Sequence, residues 1–218
     1  MRRLALLTWT FTLITLARAE ERHYVVFFAH ECDRGHKQQS HSYAEFIRSE
    51  IREGAAPVIL QRDAISWLPA DGRVRFLAAR PEPGRNCSLD ETLVLACGKH
   101  VYAWGPYELS SQAYQLALLQ RARLESGAVW YKAIDVVPGQ KRHAANCVHA
   151  LAEVDPCARR QGQYNFKCGE RATLQVIRHY GRCGFLCDPC RTHDAVWCAL
   201  GLDGRGIARQ SCESKVSN

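Results

Sequence analysis

Cys147 is the residue of this sequence best suited to covalent chemistry. The chain has 11 cysteines; pairing them leaves one over, and an odd cysteine in an exported protein indicates an intermolecular bond or a reactive thiol. Asn146 is a favoured helix N-cap, which predicts Cys147 in a first helical turn, where backbone N–H groups favour a thiolate. The sequence therefore predicts Cys147 as a nucleophile. The alternatives are a cysteine packed in the core or one bonded to Cys157.

A thiolate nucleophile needs a base within hydrogen-bond reach. His149 follows Cys147 by two residues, which on a helix turns it about 200° away. His41 is the preferred base, because it opens a predicted strand that can hold the imidazole rigidly. The third, orienting residue is predicted to be Asp63, with Ser66 as its substitute. Strand side chains alternate between faces, so only one of these two can face His41.

The pattern of apolar and polar residues predicts an α+β fold with an antiparallel sheet and a few helices. Strands are predicted over Tyr24–Ala29, Ser42–Arg48, Val58–Leu68, Thr92–Ala96, Val101–Trp104 and Val129–Val136. Helices are predicted from Ser110 or Ser111 to Glu125, from Asn146 to Val154 and from Glu170 to Tyr180. Period-two alternation places His41, Tyr43, Glu45 and Ile47 on one face of the second strand, and Ala44 and Phe46 on the other.

The order of these groups resembles a known superfamily. A histidine opening a strand, a polar residue on the neighbouring strand and a cysteine about a hundred residues later at a helix start are similar to the circularly permuted papain-like, NlpC-related enzymes. The run Asn146-Cys147-x-His149 resembles the stretch around the nucleophile of the lecithin retinol acyltransferase family. The resemblance implies a permuted papain-like core over residues 23–155, with Cys147 as nucleophile and His41 as base. It also implies an exported thiol hydrolase or acyltransferase that acts on amide or ester bonds of peptide, cell-wall or lipid-type substrates, without a cofactor.

The first residues predict export. Arg2 and Arg3 form a positive segment, Leu4 to Leu16 an apolar one, and Ala17-Arg18-Ala19 a small-x-small cleavage site, which is the layout of a secretory signal peptide. An apolar segment of roughly 13 residues is shorter than the ~20 that a spanning helix needs. We therefore predict a signal peptide over 1–19, a secreted or periplasmic protein, and no transmembrane span after cleavage. An uncleaved N-terminal anchor is the alternative.

Charge argues against nucleic acid as a partner. The formal net charge is +7, from 29 basic and 22 acidic residues. Removal of Arg2, Arg3 and Arg18 with the signal peptide leaves 26 basic residues and a net charge of +4. Nucleic-acid binding needs a clustered basic stripe, whereas these charges are spread evenly along the chain.

Cysteines crowd the part of the chain from Cys157 onward. Seven lie there: Cys157, Cys168, Cys183, Cys187, Cys190, Cys198 and Cys212. The sequence predicts an α+β domain over 20–182 followed by a disulfide-stapled tail over 183–218, and the second function that it allows is a non-catalytic, disulfide-rich secreted binding domain. Zinc at the Cys187-x-x-Cys190 pair is an alternative to disulfides. No metal site is predicted there, nor at the irregularly spaced set of His30, Cys32, His36 and His41.

Overall fold

The computed structural model describes residues 19–31, 40–134, 143–157 and 169–211. They form a mixed α+β fold dominated by antiparallel pairing, which confirms the predicted class. The main sheet has the strand order β3-β2-β1-β6-β9, and its strands are β1 (Glu20–Glu31), β2 (His41–Ile51), β3 (Val58–Ile65), β6 (His100–Leu109) and β9 (Ile207–Gln210). The second sheet has the order β4-β5-β7-β8, from β4 (Trp67–Pro69), β5 (Glu82–Asn86), β7 (Trp130–Tyr131) and β8 (Ala144–Ala145).

Five helices accompany these strands in the described ranges: α1 (Leu89–Leu95), α2 (Ser111–Glu125), α3 (Cys147–Ala152), α4 (Gly169–Arg182) and α5 (Asp194–Ala199). The helices predicted near α2, α3 and α4 are confirmed. Ser110 caps α2 by accepting a hydrogen bond from the Ala113 amide at 3.2 Å, as the N-cap preference for serine predicts.

The main sheet is buried on both faces. Successive residues of β1 point to opposite sides, so Phe27 belongs to one hydrophobic cluster and Phe28 to the other, and both are fully buried. We call the side of Phe27 the first face and the side of Phe28 the second face. Helices α3 and α4 pack on the first face, and α5 packs on the second. Full burial of one such side chain contributes roughly 1.5–3 kcal/mol.

Strand β2 alternates as the sequence predicts. Ala44 and Phe46 pack into the cluster of the first face, whereas Tyr43 and Ile47 pack into that of the second. Tyr43 stacks on the ring of His41 with centroids 5.3 Å apart. His41 therefore lies on the second face.

Helix α4 begins in close contact with the end of the β1–β2 hairpin. A Cβ atom on Gly169 would lie 2.9 Å from the carbonyl oxygens of both His30 and His41, so only glycine fits. Ser42 donates a hydrogen bond to the Gly169 carbonyl at 3.1 Å, and Thr173 donates to Ser42 at 2.8 Å. These contacts fix the start of α4 against the first face and thereby set where its other end lies.

The C-terminal segment is part of the main fold, in contrast to the predicted stapled appendage. Strand β9 pairs in parallel with β6 at the edge of the main sheet. From α5, Val196 and Trp197 enter the buried cluster of the second face. No disulfide joins two of the cysteines that the structure describes, and Cys32, Cys168 and Cys212 lie outside the described residues. Apolar burial and strand pairing hold the described part of this segment in place.

Two predicted strands take other forms. Thr92 and Ala96 lie in or beside helix α1, because Ser88 and Glu91 form a reciprocal capping box at its start that outweighs the β-propensity of the segment. The run Val58–Leu68 is divided at Ser66 into β3 of the main sheet and β4 of the second sheet.

The signal peptide predicted over 1–19 lies outside the described residues except for Ala19. None of the helices within the described ranges has the length and apolar character required to cross a bilayer.

Candidate metal centre

Three side chains with metal-binding atoms converge where α3 and α4 end. The Nε2 atom of His179 lies 3.0 Å from Oδ2 of Asp155. The sulfur of Cys183 lies 3.6 Å from each of these two atoms. All of the candidate ligand atoms lie within 4.8 Å of one another, and this is the one group of three or more such residues in the part of the chain that the structure describes.

Asp155 is positioned by a tight turn after α3. Its amide donates to the Ala152 carbonyl at 3.1 Å, and the Val154 amide donates to Leu151 at 3.3 Å, so the chain continues to coil beyond the helix end. The other carboxylate oxygen, Oδ1, accepts a hydrogen bond from the Cys157 amide at 2.9 Å. With Oδ1 held in this way, Oδ2 is directed at α4.

His179 and Cys183 lie on one face of α4 because they are four residues apart. The Cys183 amide donates to the His179 carbonyl at 3.0 Å, which continues the helical turn past Arg182. Gly184 then adopts φ +69° and ends the helix, as glycine commonly does at this position. A buried hydrogen bond of 2.9 Å from the Tyr180 hydroxyl to the Leu151 carbonyl holds α4 against α3.

The separations match those of ligands around tetrahedral zinc. With Zn–S near 2.3 Å and Zn–N and Zn–O near 2.0–2.1 Å, tetrahedral angles place a sulfur about 3.6 Å from a nitrogen or oxygen ligand, and nitrogen about 3.3 Å from oxygen. Both sulfur separations in the cluster are 3.6 Å, and the nitrogen–oxygen separation is 3.0 Å. The sulfur is also 3.9 Å from Nδ1 of His179, so it faces the imidazole ring and does not lie along the Nε2 lone pair. One ion can contact all three atoms once the ring turns its Nε2 toward the sulfur.

The same three residue types form catalytic triads, but this geometry differs from a triad. In a triad, the nucleophile and the carboxylate bind opposite nitrogens of the imidazole. Here Asp155 and Cys183 both approach Nε2 of His179 most closely, and Nδ1 is 3.9 Å from the sulfur. Because the carboxylate and the sulfur both approach the same nitrogen most closely, the three residues are not arranged as a triad.

The cluster is part buried and part open. His179 and Asp155 are nearly buried, whereas Cys183 is exposed. Partial loss of solvent around the Cys183 sulfur raises the pKa of its thiol, and the adjacent Asp155 carboxylate raises this pKa further. A cation bound among the three atoms would offset both effects, since a coordinated thiol loses its proton.

His41 takes part in a separate buried hydrogen-bond network on the second face. Its Nε2 lies 2.9 Å from the Ser66 hydroxyl, which lies 2.7 Å from the hydroxyl of Thr92. Thr92 also donates to the Ser88 carbonyl at 2.7 Å, and because a carbonyl can only accept, the single Thr92 proton is used there. Ser66 must then donate to Thr92, and Nε2 of His41 must carry the hydrogen donated to Ser66.

This assignment leaves Nδ1 of His41 as a buried lone pair, for which no described group provides a hydrogen bond. Burial lowers the pKa of His41 well below its usual value, and the neighbouring His30 and Lys99 lower it further. His41 is thus held as a neutral imidazole.

Cys147 occupies the helix position that the sequence predicts. It is the first residue of α3, and the Asn146 side chain caps the helix by accepting from the amides of Val148 at 3.0 Å and His149 at 2.9 Å. The half-buried Cys147 packs against the cluster of the first face, whereas His41 lies on the second. Because Nε2 of His41 binds Ser66 and Nδ1 has no hydrogen-bond partner, the structure does not bring the two residues together as a dyad.

Asp63, predicted as the orienting residue, also lies away from His41. It pairs with Phe46 across the β2–β3 ladder, which places it on the first face. There it accepts hydrogen bonds from Tyr114 at 3.2 Å and from Arg121. The predicted substitute, Ser66, is the residue that contacts His41.

The cysteine pattern predicted Cys183 only as a disulfide-forming residue. Asp155 and His179 were not predicted as site residues. The available signal was the His179-x-x-x-Cys183 spacing, which places both side chains on one face if the helix predicted over Glu170–Tyr180 continues by one more turn. The Cys187 and Cys190 pair is exposed and belongs to no three-ligand group within the described residues. Of the other weighed set, Cys32 and His36 lie outside the described residues.

Comparisons of the chain with family models, with curated proteins and with solved structures found no match.

Proposed function

We propose that this chain is a zinc-binding domain, with the ion held by Asp155, His179 and Cys183. The observation that carries the proposal is the set of three separations among the Asp155 oxygen, the His179 nitrogen and the Cys183 sulfur. They are close to those around one tetrahedral ion, and they come from residues on two different elements. Three protein ligands leave one coordination position for water or another donor.

The donor set favours zinc over the other common divalent ions. Calcium and magnesium prefer oxygen ligands alone, and a thiolate beside an imidazole suits zinc or a softer transition metal. Zinc imposes no geometric preference through its d electrons. The small adjustment between the observed nitrogen–oxygen separation of 3.0 Å and the tetrahedral value of about 3.3 Å is therefore tolerated.

The ion would act as a clamp between two helix ends. Asp155 follows α3, and His179 and Cys183 lie at the end of α4. Without the ion, these helix ends are joined by contacts that include the hydrogen bond from Tyr180 to the Leu151 carbonyl at 2.9 Å and the one between His179 and Asp155 at 3.0 Å, and the cluster holds a carboxylate beside a thiol. Because the ligands come together only in the folded chain, binding of the ion contributes to the free energy of folding.

The test is the zinc content of the purified protein after exhaustive dialysis against metal-free buffer under reducing conditions. We expect one equivalent for the wild type and close to none for Cys183→Ser. Cys198→Ser is the matched control, because Cys198 is also exposed but lies outside the cluster, and this variant should keep its zinc. Equal zinc content in the two variants would reject the site.

A second candidate is the thiol hydrolase or acyltransferase of the permuted papain-like type that the sequence predicts. The observation in its favour is Cys147 at the first position of α3, beside an Asn146 cap that fixes the helix start. The positive end of a helix dipole favours a thiolate at its first position. Since His41 is bound to Ser66 on the other face, the helix start would supply the activation. Alkylation of Cys147 by iodoacetamide faster than an unperturbed thiol supports this candidate, and a slower rate rejects it.

A further inference from the structure

The loop that joins β4 to β5 presents two adjacent apolar side chains to solvent. Phe76 is 41% exposed and Leu77 is 86% exposed. Both lie at the centre of a tight turn, which the Ala78 amide closes by donating to the Arg75 carbonyl at 3.2 Å. We call this turn the loop tip. Glycine, proline, asparagine, aspartate and serine dominate such turns because they favour the backbone geometry, so the turn itself gives no reason for Phe76 and Leu77.

Contacts beside the loop tip hold it in place. Val74, on one side, packs against the hydrophobic cluster of the first face. The guanidinium of Arg75 bridges the carboxylates of Asp71 and Glu82, which come from the two ends of the loop. Because the neighbouring side chains are engaged with the body of the protein, the two apolar side chains of the tip are displayed outward on a fixed support.

Positive charge accompanies the loop tip. Residues 70–85 include four arginines and two carboxylates, which gives a net charge of +2. Both carboxylates are bridged by Arg75. Arg73 and Arg80 are exposed, and neither forms an ion pair with a carboxylate in the part of the chain that the structure describes. The apolar tip therefore lies between two arginines whose charge is not compensated by an ion pair.

We propose that this loop binds the surface of an anionic lipid bilayer. Phe76 and Leu77 enter the boundary between headgroups and acyl chains, and Arg73 and Arg80 contact the anionic headgroups. Segments that bind at this boundary combine exposed apolar side chains with lysine or arginine, and each arginine near an anionic surface strengthens binding by about fivefold. A second copy of the chain is a poorer occupant, because a symmetric contact would bring two loops of the same positive charge together.

The experiment measures sedimentation of the protein with lipid vesicles. The protein is the chain from Glu20 onward, the mature form that the sequence predicts, which retains every described helix and strand. We expect it to bind vesicles of phosphatidylcholine with about 30% phosphatidylserine, and to bind phosphatidylcholine alone at least tenfold more weakly. The inference is independent of the proposed zinc site, since the loop contains none of its ligands.

Two double variants test the apolar part of the loop tip. Phe76→Ser/Leu77→Ser should bind the anionic vesicles at least tenfold more weakly, because it removes the side chains that leave water. Val94→Ser/Leu119→Ser is the matched control, since Val94 on α1 and Leu119 on α2 are 73% and 67% exposed, and it should bind as the wild type. Urea denaturation verifies that both variants keep the fold.

Two further variants test the charges and the chemistry of the apolar contact. Arg73→Gln/Arg80→Gln should weaken binding to the anionic vesicles by about 25-fold, which is about fivefold for each arginine. Phe76→Trp/Leu77→Trp should retain binding, because tryptophan is favoured at membrane interfaces.

Four results would overturn the inference. The first is a wild type that binds neither kind of vesicle, and the second is equal binding of both kinds. The third is undiminished binding by Phe76→Ser/Leu77→Ser, which would place any lipid contact elsewhere on the molecule. The fourth is dimerisation that this variant abolishes, without vesicle binding by the wild type, which would make a second copy the occupant. None of these results bears on the zinc content, so failure here and failure of the proposed function are distinguishable.

Discussion

Cys183 lies one helical turn beyond His179, and its sulfur is 3.6 Å from Nε2 of that histidine. Asp155 approaches the same nitrogen from a different helix at 3.0 Å. The i,i+4 pair at the end of α4 thus supplies two of the proposed ligands, and the turn after α3 supplies the third. The metal affinity of the proposed site therefore depends on how firmly α3 and α4 are packed together.

Replacement of Asp155 by asparagine should weaken zinc binding by more than about 100-fold. The substitution keeps the shape and removes the charge of a direct ligand, and changes to groups that merely support ligands already cost about 10–100-fold. A competition titration against a zinc indicator measures the affinity. Asp188→Asn is the control, because the Asp188 side chain likewise accepts a hydrogen bond from an amide two residues later, that of Cys190, at 2.9 Å. If both variants lose affinity equally, Asp155 is not a ligand.

Zinc should raise the thermal stability of the wild type. A ligand present at 100 times its Kd stabilises the native state by about 2.7 kcal/mol, and each kcal/mol shifts Tm by about 2–4 °C for a chain of 150–250 residues. The expected increase is therefore about 5–10 °C over the chelator-treated protein, measured by calorimetry. Cys183→Ser should show no such shift.

Gly169→Ala should damage the site from a distance. The new Cβ would lie 2.9 Å from the carbonyl oxygens of His30 and His41, and since these are backbone atoms, α4 must move. Such overpacking costs about 1–3 kcal/mol, and the shift should lower zinc affinity as well. Urea denaturation and the zinc titration measure the two effects.

Gly181→Ala is the matched control for this change. Gly181 is also in α4, but its added Cβ would meet only the Pro189 side chain at 3.6 Å, which is ordinary contact. Alanine is favoured over glycine in a helix by about 1 kcal/mol, so stability should stay level or rise. A loss in both variants would show that the start of α4 has no special role.

His41 should make the stability of the protein depend on pH. Because its pKa is lowered in the folded state, the unfolded chain takes up a proton at His41 below about pH 6.5 while the folded protein does not. Stability is therefore fully present above pH 6.5 and falls as the pH drops toward the folded pKa, by up to about 1.4 kcal/mol per pH unit. Urea denaturation at pH 7.5, 6.5 and 5.5 should show a shallower decline in His41→Gln than in the wild type.

Ser66→Ala separates titration from packing in that experiment. It removes the hydroxyl that contacts Nε2 at 2.9 Å and leaves a buried neutral imidazole. We expect a loss of about 1–3 kcal/mol at every pH, the cost of a buried polar group left unsatisfied, with the wild-type slope retained. Equal slopes in the wild type and His41→Gln would show that His41 is not held neutral in the folded protein.

The parts of the fold that follow from local periodicity were predictable from the sequence. The alternation of Tyr43 and Ile47 against Ala44 and Phe46 in β2 is confirmed, because successive side chains of a strand point to opposite faces. Helix α2 and the Asn146 cap of α3 are confirmed for the same reason: their signals lie within a few residues of one another. Ser88 and Glu91 carried an equally local capping-box signal for α1, which the strand prediction overlooked.

What could not be predicted depends on contacts between distant segments. The crowded cysteines suggested a covalently held tail, but β9 finds a place beside β6, and sequence spacing says nothing about such a pairing. The site shows the same limit. Asp155 and His179 are 24 residues apart and meet only because Gly169 lets α4 pack tightly on the hairpin. Cys147 and His41 have a familiar order along the chain, yet they lie on opposite faces of the sheet.

X-ray absorption spectroscopy of the zinc-loaded, reduced protein tests the proposed site directly, because it reports which elements surround the ion. We expect one sulfur at about 2.3 Å together with nitrogen or oxygen ligands at about 2.0–2.1 Å. The sulfur signal should disappear in Cys183→Ser and persist in Cys198→Ser. A zinc shell without sulfur in the wild type, or one that Cys183→Ser leaves unchanged, would contradict the proposed site.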